Sequence, residues 1–397
     1  MTVEQPAGQP VPPRETPDDL VVSRAAVQAA AEHPPAPGIA LCLSGGGYRA
    51  MLFHAGALLR LAEAGLLAQV ARFSSVSGGS ITAGVLALAW DDLQREGFAS
   101  AAVRRRVVEP LRTQAGVTID VRAVLSGLLL PRRTVGDELA RRYAPLFGEA
   151  TLQDLPDEPP RFTFNATNLQ STALFRFAKA YAADWRVGWI EAPALPLRDV
   201  VAASSAFPPV LSPATVPVSP ADFKAGSGEP GTNTDAYRRA PVLTDGGVYD
   251  NLGLETAWKN YETVLVSDGG GKAAPAPRVG RTWPAHMHRV LMTIDNQVRS
   301  LRKRALLASY RAHERRGAYW SVRTHIADYH LDPVLPCPED QVSVLAATPT
   351  RLAKLPDFTQ ERLINWGYAV SDAAIRAHVL RGLAPPAAFP YPRAGVG

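Results

Sequence analysis

The sequence predicts an α/β protein, a three-layer α/β/α domain around a mostly parallel central sheet. Three observations carry this. Short apolar runs alternate with longer helix-patterned stretches, the order that parallel strands joined by crossover helices require. Glycine clusters fall at the ends of apolar runs, at 45–47, 78–79, 246–247 and 269–271. The chain has 397 residues, 46% of them apolar, and only two cysteines, so it can bury a large core but cannot be a disulfide scaffold or a cysteine zinc cluster.

Residues 1–37 hold eight prolines and no apolar h-region, so they read as a disordered Pro-rich tail rather than a signal peptide, with a short helix at 21–33. A single domain is expected over 38–385, followed by a C-terminal tail at 386–397. Gly38–Ser44 is a short apolar run bounded by glycines, hence a buried strand. Gly45-Gly46-Gly47 breaks it. Tyr48–Ala64 reads as a helix with Met51, Ala55, Leu58, Leu59 and Ala62 on one side, and Gly65 ends it. Val70–Val76 is the next strand, Ser77-Gly78-Gly79-Ser80 a tight turn, and Ile81–Trp90 an apolar helix. Arg161–Thr167, Val242–Thr244 and Thr263–Ser267 fit as further strands, and Arg289–Ile294 as another. Pro213–Ala240 shows no element and reads as a long loop over the cleft, placed to act as a lid. Asn296–Trp320 reads as a basic helix, first of all a solvated face and second a membrane-contact face.

No apolar run reaches the ~18 residues of a membrane span. A net charge of +5 is too mild for a nucleic-acid binder and leaves room for peripheral contact with anionic lipid. The two cysteines fit a reducing compartment or indifference to redox state, and the expected location is cytoplasmic, with peripheral membrane contact left open. Nothing in the sequence fixes an oligomeric state.

The chemistry concentrates at two turns. A serine between a strand and a helix, as in Ser75-Val76-Ser77-Gly78-Gly79, has the setting of a nucleophile elbow. The usual first glycine is replaced by Ser75, and the bland alternative is Ser77 as a helix N-cap. Gly45-Gly46-Gly47 ends the preceding strand at the same sheet end, where consecutive glycine amides make a nest for an oxyanion, with Arg49 close in sequence. No G-K-[ST] follows, so the run is not a P-loop. A dinucleotide site would want an acid near Phe73–Val76, and none is there. Asp245 and Asp268 each end a strand before glycines, and pattern alone does not separate them as the base. His286 and His288 would complete a Ser-Asp-His order.

Five blocks in this order resemble the patatin-like phospholipase family, including its cytosolic phospholipase A2 relatives: Ser44–Met51, the Ser77 turn, Asn165–Leu169, Ala203–Pro209 and Asp245–Gly253. Asn168 stands where the family has Asp. The resemblance implies a lipid acyl hydrolase without metal or cofactor. It implies Ser77 as nucleophile and Asp245 as its base, with an oxyanion hole from Gly45, Gly46 and Gly47 assisted by Arg49. It also implies an elbow shaped by Ser75, Gly78 and Gly79, and a lipid or phospholipid ester as substrate. The alternatives are a Ser-Asp-His esterase of α/β-hydrolase type and a non-catalytic membrane-associated protein on the same fold.

Overall fold

The computed structural model describes residues 35–119 and 135–397. The segment 1–34, with the helix expected at 21–33, lies outside the described residues. Nine strands form one sheet: β1 (Ala36–Leu43), β2 (Val70–Ser75), β3 (Arg161–Asn168), β4 (Ala173–Phe177), β5 (Tyr181–Asp184), β6 (Gly188–Glu191), β7 (Leu243–Asp245), β8 (Tyr261–Asp268) and β9 (Arg316–Ser321). Their order is β6-β5-β4-β3-β2-β1-β8-β9, with β7 pairing β3 off that path. The stretch from β3 to β9 is parallel throughout. β4, β5, β6 and β7 join antiparallel.

β1 shows why its sequence is a continuous apolar run. Leu41 and Leu43 enter the main core on one face, while Ala40 and Cys42 enter a second core on the other. A strand covered on both faces has no polar side to alternate with. Helices α1 (Gly47–Glu63), α2 (Gly78–Arg95), α3 (Val135–Phe147) and α4 (Leu197–Ser204) follow the strands, and α5 (Trp283–Arg311) and α6 (Asp357–His378) lie near the C-terminus. α1 and α6 cross backbone to backbone. A Cβ on Gly56 would stand 1.9 Å from the Ile364 carbonyl oxygen, and one on Gly367 equally close to that of Phe53. On the opposite sheet face, Leu306 of α5 packs with Leu252, Val264 and Val266.

Three expectations are corrected. Arg289–Ile294 is not a strand but part of α5. The basic helix starts earlier than Asn296 and stops at Arg311, after which residues 316–321 turn back as β9. The segment 213–240 is not without elements: it holds a 3-10 turn at Pro220–Asp222 and a helical turn at Asp235–Arg238, and it is fastened along the antiparallel end of the sheet. The Lys224 amide donates to the Trp189 carbonyl, the Glu229 amide to that of Arg186, and the Arg238 guanidinium to that of Val187. The C-terminal segment is also held, by Asn365 Nδ2 donating to the carbonyls of Tyr391 and Gly395. Among the described residues no helix is long and apolar enough to cross a membrane.

Candidate active site

Ser77 sits between β2 and α2 with φ 53° and ψ −120°. That left-handed backbone costs a non-glycine residue of order 1–3 kcal/mol and is typical of functional turns. The side chain makes no capping bond to α2, which removes the N-cap alternative. Glycines let the turn close. A Cβ on Gly78 would lie 2.2 Å from the Gly47 carbonyl oxygen, and one on Gly79 2.2 Å from that of Leu43. The Ser turn and the Gly45–Gly47 turn are therefore in backbone contact at one sheet end, and Ser77 Cβ lies 3.1 Å from where a Gly45 Cβ would be. Ser75, in place of the usual glycine, is buried. Its hydroxyl donates to the Thr163 carbonyl and accepts from Ser80, so the turn accommodates it.

The three glycines of the first turn are not equivalent. The Gly45 amide donates to the Asn251 carbonyl, 3.1 Å away, and is not available to a ligand. Among the described residues no acceptor takes the amides of Gly46, Gly47 or Gly78. Arg49 is also committed elsewhere. Its Nε and Nη2 donate to the Gly269 carbonyl, and its Nη1 to those of Ala346 and Thr348 at 2.9 and 2.7 Å. It is a buried tie between α1 and two distant loops, not a charge turned toward Ser77. Beneath the turn, the Ser44 carbonyl accepts from His54 Nε2, which leaves Nδ1 to accept from the Ser267 hydroxyl. Burial pushes His54 down to about 4, so it is neutral.

Asp245 ends β7, a strand of three residues. Two of the sequence blocks hold it beside Ser77. The Ala206 carbonyl accepts from the Asp245 amide and the Thr244 hydroxyl, and Thr167 donates to the Asp245 carbonyl. Ser204 Oγ accepts from the Ser77 amide at 3.1 Å and donates to the Asn165 carbonyl at 2.7 Å. Asn165 in turn donates to Ser74 Oγ and the Ser75 carbonyl. The sequence signal for this clamp was the presence of those blocks, but their role became visible only in the fold. Asn168 explains itself likewise. Its Nδ2 donates to Asp184 and its Oδ1 accepts from the Gln170 amide, a place where a carboxylate would face another carboxylate.

Burial raises Asp245 to about 7, against hydrogen bonds from the Gly247 amide and Ser77 that pull it down. Asp295 on α5 pushes it up further. Asp268, its equal in sequence pattern, has the opposite character. Although burial opposes it, Arg299, the Tyr319 hydroxyl and the Gly270 amide together hold its carboxyl below the usual range. Asp268 is thus a charged structural anchor, while Asp245 is poised near neutrality and bonded to Ser77. Groups whose environments push their pKa values apart in this way separate acid–base residues from structural ones. His286 and His288 are on the exposed start of α5, and among the described residues neither bonds to Asp245. Asn251 was not singled out in the sequence as a site residue. Its side chain lies between Gly45, Gly247 and Gly270 and braces three glycine turns. Among the described residues no group of three or more His, Cys, Asp or Glu side chains is placed to hold a metal.

A serine on a strained strand–helix elbow, a buried aspartate raised to about 7 and glycine amides without an acceptor thus meet at one end of an α/β sheet. The family model described as patatin-like phospholipase matches residues 41–258, more than half of the chain, and the protein belongs to that family. Human GIVD cytosolic phospholipase A2 is similar in structure, with a TM-score of 0.50 at 14% identity. The match covers 89% of this chain and 62% of that one, and shows a shared fold. VipD from Legionella pneumophila matches at a TM-score of 0.35 and 15% identity, over 87% of this chain and 67% of that one. No curated protein sequence matches the chain.

Proposed function

We propose that the protein is a lipid acyl hydrolase of phospholipase A type, carried by one catalytic unit over residues 38–385, with Ser77 as nucleophile and Asp245 as base. The observation that carries this is the pairing of Ser77, strained on its elbow, with an aspartate raised to about 7. Ser77 Oγ attacks the ester carbonyl while its proton passes to Asp245. The tetrahedral oxyanion rests on the amides of Gly46, Gly47 and Gly78, where the N-terminus of α2 adds its dipole. Collapse expels the alcohol, which takes the proton from Asp245. Water then gives a proton to Asp245 and attacks the acyl-enzyme, and Ser77 regains its proton as the acid leaves. In this scheme Gly45 and Arg49 hold the nest from behind, and Ser75, Gly78 and Gly79 shape the elbow. The substrate is a lipid or phospholipid ester met at a membrane surface to which the protein binds peripherally, from the cytoplasm; the free Cys42 and Cys337 fit that compartment.

The test is hydrolysis of a lipid panel with Ser77→Ala as control. Loss of hydrolysis together with loss of fluorophosphonate labelling is the expected result. Full activity in purified Ser77→Ala protein would end this reading.

A further inference from the structure

α5 meets two different environments along its length. On its inner side Arg299 pairs with Asp268, Arg302 with Glu255, and Leu306 enters the core. On another side Trp283, Met287, Val290, Ile294 and Leu301 stand in solvent, Trp283 at 76%, Ile294 at 56% and Leu301 at 57% exposure. Spacings of four, three, four and seven residues put all five on one stripe, ~27 Å long at the rise of a helix. They are five of the eleven large apolar side chains exposed among the described residues. Such residues are ordinary when scattered, and a contiguous stripe calls for a partner.

Charge selects the partner. Residues 269–294 include Lys272, Arg278, Arg281 and Arg289 and no Asp or Glu. Asp295 is the one acid in α5, and it is half-buried. A second copy would bring an equally basic stripe against this one, with like charges meeting. An anionic bilayer offers an apolar layer for the stripe and negative headgroups for the cations, and a tryptophan at the end of the stripe suits the boundary between them. We propose that α5, with residues 271–282 before it, docks in the plane of an anionic lipid bilayer, its apolar stripe inserted and its cations at the headgroups. The proposal builds on the hydrolase reading for its purpose. Ile294 on the stripe is followed by Asp295, whose carboxyl acts electrostatically on Asp245, so the docking helix also carries a group that acts on the proposed base.

The experiment is co-sedimentation of the full chain with phosphatidylcholine vesicles, plain or carrying about a third phosphatidylserine. Hydrolysis of a soluble short-chain ester and thermal melting are followed alongside. The wild type partitions onto the anionic vesicles and only weakly onto the neutral ones. Trp283→Ser/Ile294→Ser/Leu301→Ser lowers partitioning at least ~10-fold, and Arg278→Gln/Arg281→Gln/Arg289→Gln lowers it similarly and flattens its salt dependence. Both variants melt as the wild type does and keep its ester hydrolysis. Unchanged partitioning of the apolar variant overturns the proposal. So does a wild-type dimer that this variant dissociates while vesicle binding stays the same. Vesicle binding by a wild type that cleaves no ester refutes the hydrolase reading alone and leaves the docking face standing.

Discussion

Asp245→Asn is expected to remove activity and, above neutrality, to strengthen the fold. The Asp245 carboxyl is buried and raised from 3.8 to about 7. Between those values the folded protein holds a proton that the unfolded chain has released, so stability falls as pH rises through that window. Above it, keeping the carboxylate buried costs about 4 kcal/mol relative to an ordinary aspartate. Asparagine keeps the shape and an oxygen for the Gly247 amide but has no charge to bury. Below the window both proteins carry a neutral side chain there, and any packing difference between them is constant. The measurement is therefore the gap between the two urea midpoints at acid and alkaline pH. It should open as pH rises, reaching a few kcal/mol in favour of Asn. Wild-type kcat/KM should meanwhile rise about tenfold per pH unit below neutrality, as an ionised base requires. A gap that stays constant with pH would refute the premise that Asp245 is perturbed, and with it the ground for proposing this aspartate, and not Asp268, as the base.

Gly78→Ala would place a Cβ 2.2 Å from the Gly47 carbonyl oxygen; a loss of activity with a lowered melting temperature is expected, since backbone must move on both turns. Asn168→Asp sets a carboxylate beside Asp184, so the variant should be less stable than the wild type near pH 7 by about 1–3 kcal/mol and should recover as the pH is lowered, read by thermal melts across pH. His286→Ala/His288→Ala should leave ester hydrolysis unchanged; loss of activity would restore a triad in place of the dyad.

The residues from Gly38 to Arg95 were legible because local and global signals agree there. Continuous apolar strands are buried on both faces, and glycines mark turns where backbone touches backbone. The short antiparallel strands β4, β5 and β6 were not legible, since four or five residues are too few to show a period. Arg289–Ile294 was misread for a specific reason. Val290 and Ile294 lie on a solvent-facing helical stripe beside half-buried Leu291 and Met292, and an apolar run partly in the open resembles a strand in the core. The Ser77 turn and both aspartates were visible in the sequence, but what sets them apart depends on distant partners. Asp268 is set apart from Asp245 by Arg299 and Tyr319, and Arg49 is turned from the site by carbonyls of Gly269, Ala346 and Thr348.

The Gly45–Gly47 turn has one more consequence, for synthesis. It emerges within the first fifty residues of the chain, yet what holds it comes much later. The Gly45 amide needs the Asn251 carbonyl, Arg49 needs those of Gly269 and Thr348, and the Tyr48 amide needs that of Arg351. Chains fold as they are made, from the N-terminus onward. A nascent chain halted anywhere before Arg351 would carry Ser77 beside an unfinished glycine turn, because the partners that hold that turn would not yet have been made.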